Sequence, residues 1–104
     1  MSDEEKIEQQ IQEKGLNAPR LNPEHIQAQV KSTAYYVFPG TTTTLCCLTL
    51  RNGYTVIGKS ACVSPENFDK EIGKKIALND ALTQVWQLEG YLLREQLHQS
   101  EKRA

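Results

Sequence analysis

The sequence predicts an α+β fold: short N-terminal helices, a three-stranded antiparallel meander, and a long or broken C-terminal helix packed on the sheet. Three observations predict it. Residues 33–63 are dense in β-branched and aromatic residues and are cut by two turn signals, Pro39-Gly40 and Asn52-Gly53. Residues 66–97 carry apolar side chains at helical spacing. The first 31 residues hold two short stretches with helix-terminus chemistry and few apolar positions.

Taken in order, residues 1–14 are rich in Glu, Gln and Lys, with Ile7 and Ile11 four apart. That is a narrow apolar stripe on a helix that would be marginal alone, ending at Gly15 as C-cap. Residues 16–22 read as an extended linker. Asn22-Pro23-Glu24 starts a second helix over about 23–31: Asn22 caps, Pro23 fits the first turn, and Glu24 faces the positive end of the dipole. Ile26 and Val30 mark its buried side. Strands follow at Thr33–Phe38, Thr41–Leu50 and Tyr54–Lys59, with Ser60–Val63 leaving the sheet.

The hairpin register follows from burial. A two-residue loop at Asn52-Gly53 would mix polar and apolar side chains on each face. A three-residue Arg51-Asn52-Gly53 loop pairs Leu50 with Tyr54, Leu48 with Val56 and Cys46 with Gly58. That makes one apolar face and puts Gly53 at positive φ. Ser64-Pro65-Glu66 repeats the cap-plus-proline start. A continuous helix 66–97 would be ~48 Å long, and Gly90 is a candidate break. The domain boundaries expected are 1–22 for a mobile or docking N-terminal segment, 23–99 for a single α+β domain, and 100–104 for a tail.

With 104 residues the chain makes one domain with a thin core. A net charge of −1 gives no global field toward nucleic acid or an anionic membrane. The acidic start of the chain does not read as a signal peptide, and no segment has the ~20 apolar residues of a span. Three cysteines are an odd number, and free thiols in a reducing cytoplasm are the expectation.

Candidate chemistry is sparse. Cys62 with His25 or His98 would be a thiol with a base, but no orienting motif accompanies them, so no catalytic residue is assigned. Cys46 and Cys47 are adjacent on a strand and point to opposite faces, which excludes a shared metal ion, so neither metal nor cofactor is expected. Thr42 and Thr44 in the run Thr41–Thr44 offer hydroxyls suited to phosphate, although a β-branched edge strand explains them as well. Tyr35 and Tyr36 could stack on a base, while some aromatics must build the core. Arg51, Lys59 and Ser60 complete the candidate ligand set, with Asp80, an acid on the stripe of Ile72 and Ile76 at the rim or paired with Arg51 or Lys59. Gly73 lies inside a helix, where close approach of helix to sheet would justify its cost.

The helix 66–97 has more apolar residues than one sheet face can cover. Phe68, Ile72, Ile76 and Leu93 lie near one stripe, and Leu78, Leu82, Val85, Leu88 and Leu92 spread onto its flank. Val85, Leu88 and Leu92 are therefore the expected interface of a homo-oligomer.

Four ordered blocks carry a family resemblance. They are Lys14–Arg20 followed by Asn22-Pro23-Glu24; Pro39-Gly40-Thr41-Thr42 leading into a cysteine-bearing strand; Asn52-Gly53-Tyr54 through Ser60-Ala61-Cys62-Val63, Asn67-Phe68-Asp69 and Glu71-Ile72-Gly73; and Trp86 with Leu88-Glu89-Gly90-Tyr91-Leu92-Leu93. Together they resemble the phage gene-49/gene-66 family over roughly residues 14–97. The resemblance implies an accessory phage or prophage product made in the host cytoplasm, and brings no catalytic residues with it. Two function classes are expected: sequestration of a small anionic host ligand such as a signalling nucleotide, or inhibition of a host enzyme by protein–protein docking. Nucleic-acid binding ranks below both, since no basic stripe is visible.

Overall fold

The computed structural model describes residues 3–13 and 20–103. It separates into two compact units, residues 29–85 on one hand and residues 1–28 with 86–104 on the other.

The unit 29–85 is built on three antiparallel strands in the order β1-β2-β3: β1 (Val30–Val37), β2 (Thr43–Leu50) and β3 (Thr55–Ala61). β1 begins earlier than the sequence suggests. Val30 belongs to the strand and not to a preceding helix, because it pairs with Leu50 while the Arg51 N–H donates to the Gln29 carbonyl at 3.0 Å. Cross-strand pairing outcompetes local helix propensity here. β3 likewise runs further than expected: Ser60 and Ala61 stay in the sheet, opposite Thr44 and Thr43.

The hairpin takes the three-residue register. Leu48 faces Val56 and Cys46 faces Gly58. The Leu50 N–H donates to Tyr54 O at 2.8 Å, the Gly53 N–H donates to Leu50 O at 2.9 Å, and Gly53 sits at φ 90°. One face of β2 is the core: Thr44, Cys46, Leu48 and Leu50 are buried in strict alternation, and Val56 joins them from β3. Cys47 points to the opposite face, and all three cysteines are free thiols.

A short 3-10 turn (Pro65–Asn67) leads to the long helix α3 (Lys70–Arg103), 34 residues and about 51 Å at 1.5 Å per residue. The helix is continuous through Gly90 and includes residues 100–103. Its cap is Asp69 and not Ser64, which makes no side-chain capping bond. Asp69 Oδ1 accepts the N–H groups of Glu71 at 2.9 Å and Ile72 at 3.2 Å, satisfying donors that a helix start leaves free.

The helix stripe that meets the sheet differs from the one expected. Gly73, Ala77, Ala81 and Val85, each four apart, are buried, and Leu82 flanks them. Ile72 and Ile76, expected on the sheet side, are 56% and 52% exposed. The reason is backbone proximity. A Cβ on Gly58 would overlap the Ala77 carbonyl oxygen and the Ala81 nitrogen, so only small residues fit where helix and strand touch.

In the other unit, α1 (Asp3–Glu13) exposes Ile7, while the side chain of Ile11 and the expected cap Gly15 lie outside the described residues. α2 (Pro23–Ala28) starts as the sequence indicates, with Asn22 Oδ1 accepting the His25 N–H at 2.8 Å. Ile26 is buried, and His25 Nε2 lies 3.2 Å from Glu89 Oε2. Among the described residues no helix is long and apolar enough to cross a membrane.

Candidate functional site

The outer edge of β3 is where the unit 29–85 offers a site. In an antiparallel ladder alternate residues turn their N–H and C=O groups away from the neighbouring strand. On β3 these are Thr55, Ile57, Lys59 and Ala61. α3 satisfies part of that edge with two side chains one turn apart. Asp80 Oδ2 accepts the Lys59 N–H at 2.9 Å, and Gln84 Nε2 donates to the Ile57 carbonyl at 2.6 Å. Asp80 is thus an exposed rim residue whose partner is the backbone of Lys59, not its ammonium group.

One helical turn earlier the clip stops and a cleft of about 220 Å³ opens. Ser60, Ala61 and Cys62 form one wall, Ile72, Gly73 and Ile76 of α3 the other, and Asn67, Phe68 and Asp69 close the end beside Thr42. Its polar groups are largely occupied. The Thr42 hydroxyl donates to the Cys62 carbonyl at 2.6 Å, the Ser60 hydroxyl to the Gly73 carbonyl at 2.8 Å, and the Cys62 thiol to the Ser64 carbonyl at 3.0 Å. The Asp69 carboxylate is engaged as the helix cap. What the cleft presents is therefore apolar surface from Ile72, Ile76 and Phe68, next to the unclipped backbone at Ala61.

The candidate ligand residues do not converge. Thr42 and Ser60 line the cleft. Thr44 is fully buried beneath it, its hydroxyl without a partner among the described residues and 2.9 Å from where a Cβ on Gly73 would stand. Lys59 and Asp80 lie along the β3 edge. Tyr35 is on the helix side of β1, with Lys74 Nζ 5.5 Å from its ring centroid, and Lys74 is also 3.7 Å from Glu71. Tyr36 is on the opposite face, edge-on to Phe38 at 5.0 Å. Arg51 sits in the hairpin turn, at the other end of the strands from the cleft. Of the expected interface residues, Val85 is fully buried within the chain itself and offers no surface, because it closes the sheet-facing stripe. Leu88 and Leu92 are exposed.

Sequence reasoning missed Phe68, Asp69, Ile72 and Ile76 as site residues. The helical spacing of Phe68, Ile72 and Ile76 signalled a buried face, and only the cost of Gly73 within the helix hinted that small residues beside them would meet the sheet. A family profile, the phage protein (N4 Gp49/phage Sf6 gene 66) family, matches residues 21–97. The chain belongs to this family. The match takes in all three strands, the cleft and most of α3. No curated protein and no solved structure matches the chain. Among the described residues no group of three or more His, Cys, Asp or Glu side chains is placed to hold a metal ion.

Proposed function

We propose that this phage protein works in the infected host cell by binding and not by catalysis, as an accessory protein that docks on a host protein through the cleft at the β3 edge. One observation carries the reading. Ile72 and Ile76 stand more than half exposed beside a cleft whose own hydrogen-bonding groups are already paired, a combination that suits an apolar side chain from a polypeptide. A protein segment could also meet the open backbone at Ala61, in the manner of strand addition.

The alternative, a small anionic host ligand such as a signalling nucleotide, draws on the hydroxyls of Thr42 and Ser60. Both donate within the chain, and the carboxylate of Asp69 stands at the same helix start, so the cleft gives an anion little to bind. Such a ligand would need a pocket completed elsewhere, for example in a homo-oligomer.

The test uses Ile76→Glu, a change at an exposed position that should leave the melting temperature near wild type. Tagged wild-type and variant proteins are incubated with host lysate, and the captured proteins are compared. One host protein should be retained by wild type and lost with Ile76→Glu. Equal capture by both proteins would refute docking through the cleft. A nucleotide released on denaturing the purified protein, and seen by mass spectrometry, would favour the anionic ligand instead.

A further inference from the structure

The two edges of the sheet are treated differently. β3 is clipped by Asp80 and Gln84, one of the ways in which proteins disarm an edge strand. Among the described residues no side chain clips the outer edge of β1, and its one charged residue, Lys31, stands at its start. The strand carries no proline, its register shift lies at its start between Val30 and Ser32, and from Ser32 to Phe38 it has no charged residue. Six of its eight residues are exposed, a burial that leaves both faces of the strand open as well as its edge.

The register identifies the free groups. The Phe38 N–H donates to Thr43 O at 3.3 Å, so Phe38, Tyr36, Ala34 and Ser32 turn toward β2. Thr33, Tyr35 and Val37 then turn their N–H and C=O groups outward. Among the described residues no strand lies on that side.

We propose that two copies of this chain pair through the outer edge of β1, antiparallel and two-fold symmetric about Tyr35, into a single sheet spanning both copies. The occupant is a second copy because the edge is complementary to itself. With the axis at Tyr35, Tyr35 faces its own counterpart and Thr33 faces Val37, so all three outward residues find partners, each pair exchanging two hydrogen bonds. Between them Ala34 stands opposite Tyr36, a small residue against a large one, on the face away from α3. No like charges meet across Ser32–Phe38, and Lys74 near Tyr35 is balanced by Glu71 in its own chain. This surface is distinct from the cleft and does not depend on it.

Light scattering on the full chain at about 100 μM should give at least twice 11.8 kDa. Thr33→Pro removes an outward N–H without touching a bond to β2, so it should halve the mass and leave the circular dichroism intact. Tyr35→Lys and Tyr35→Glu each place like charges across the axis. Each should be monomeric alone, and a one-to-one mixture should regain the dimer. If Thr33→Pro fails to fold, the charge pair decides. A monomeric wild type overturns the proposal. So does an oligomer whose mass is unchanged in Tyr35→Lys and Tyr35→Glu.

Discussion

Gly58→Ala tests the seat of α3 on the sheet. Gly58 faces Cys46 in the middle of the β2–β3 ladder, under the helix. The added Cβ would fall on the Ala77 carbonyl oxygen and the Ala81 nitrogen, and come within 2.9 Å of the Ala81 Cβ. Backbone atoms cannot rotate aside as a side chain can, so the whole helix must lift. Lifting it loosens Ala77, Ala81 and Val85, all fully buried. Overpacking a core costs typically ~1–3 kcal/mol, and the rigidity of the neighbours puts this case at the top of that range. Alanine recovers roughly 0.5–1 kcal/mol over glycine in a strand, leaving a net loss of about 2 kcal/mol or more. For a domain of this size that lowers the melting temperature by roughly 10–15 °C. The control is Gly40→Ala, at φ 74° with nothing within 4 Å of the new Cβ, which pays only for its backbone conformation, about 1–2 kcal/mol. Thermal and urea unfolding by circular dichroism measure both. A Gly58→Ala protein that melts no lower than wild type would refute the close helix–strand contact.

Asp69→Ala should cost about 1 kcal/mol in urea unfolding, and Ser64→Ala close to nothing, because Asp69 alone of the two caps a helix. Thr44→Val should stabilise by about 1 kcal/mol in the same assay, since it replaces a buried, unpartnered hydroxyl with a methyl group; a destabilised variant would mean that the hydroxyl has a partner. Asp80→Ala combined with Gln84→Ala frees the Lys59 N–H and the Ile57 carbonyl, so the variant should self-associate more strongly than wild type in concentration-dependent light scattering. Burial pushes the Cys46 thiol up, with a smaller contribution from Cys47. A pKa raised in the folded state gives stability that is full below the unfolded thiol's value, about 8.5, and is lost as pH rises through the folded value. Melting temperature should therefore fall on the alkaline side, and Cys46→Ala should flatten that fall.

The sequence alone was enough for the local decisions. Asn22 ahead of Pro23 set a helix start because the cap and the proline act within one turn. The Asn52-Gly53 turn and the alternation of Cys46, Leu48 and Leu50 set the hairpin register, because a slip of one residue would turn the whole apolar row to water. The order of helices and strands and the family followed from similarly local patterns. What only the tertiary structure decided was which surfaces meet. Periodicity showed that Ile72, Ile76, Ala77, Ala81 and Val85 lie on one helix, but it weighed large apolar residues above small ones. The bare backbone of Gly58 reversed that order, since it lets the helix come so close that only Ala77 and Ala81 fit there, with Gly73 one turn earlier against Thr44 and Ser60. The isoleucines were thereby displaced to the rim, and with them the cleft. Asp80 found its partner for the same reason: spacing left the rim, Arg51 and Lys59 as alternatives, and a hydrogen bond to the Lys59 backbone depends on where the helix lies along the strand.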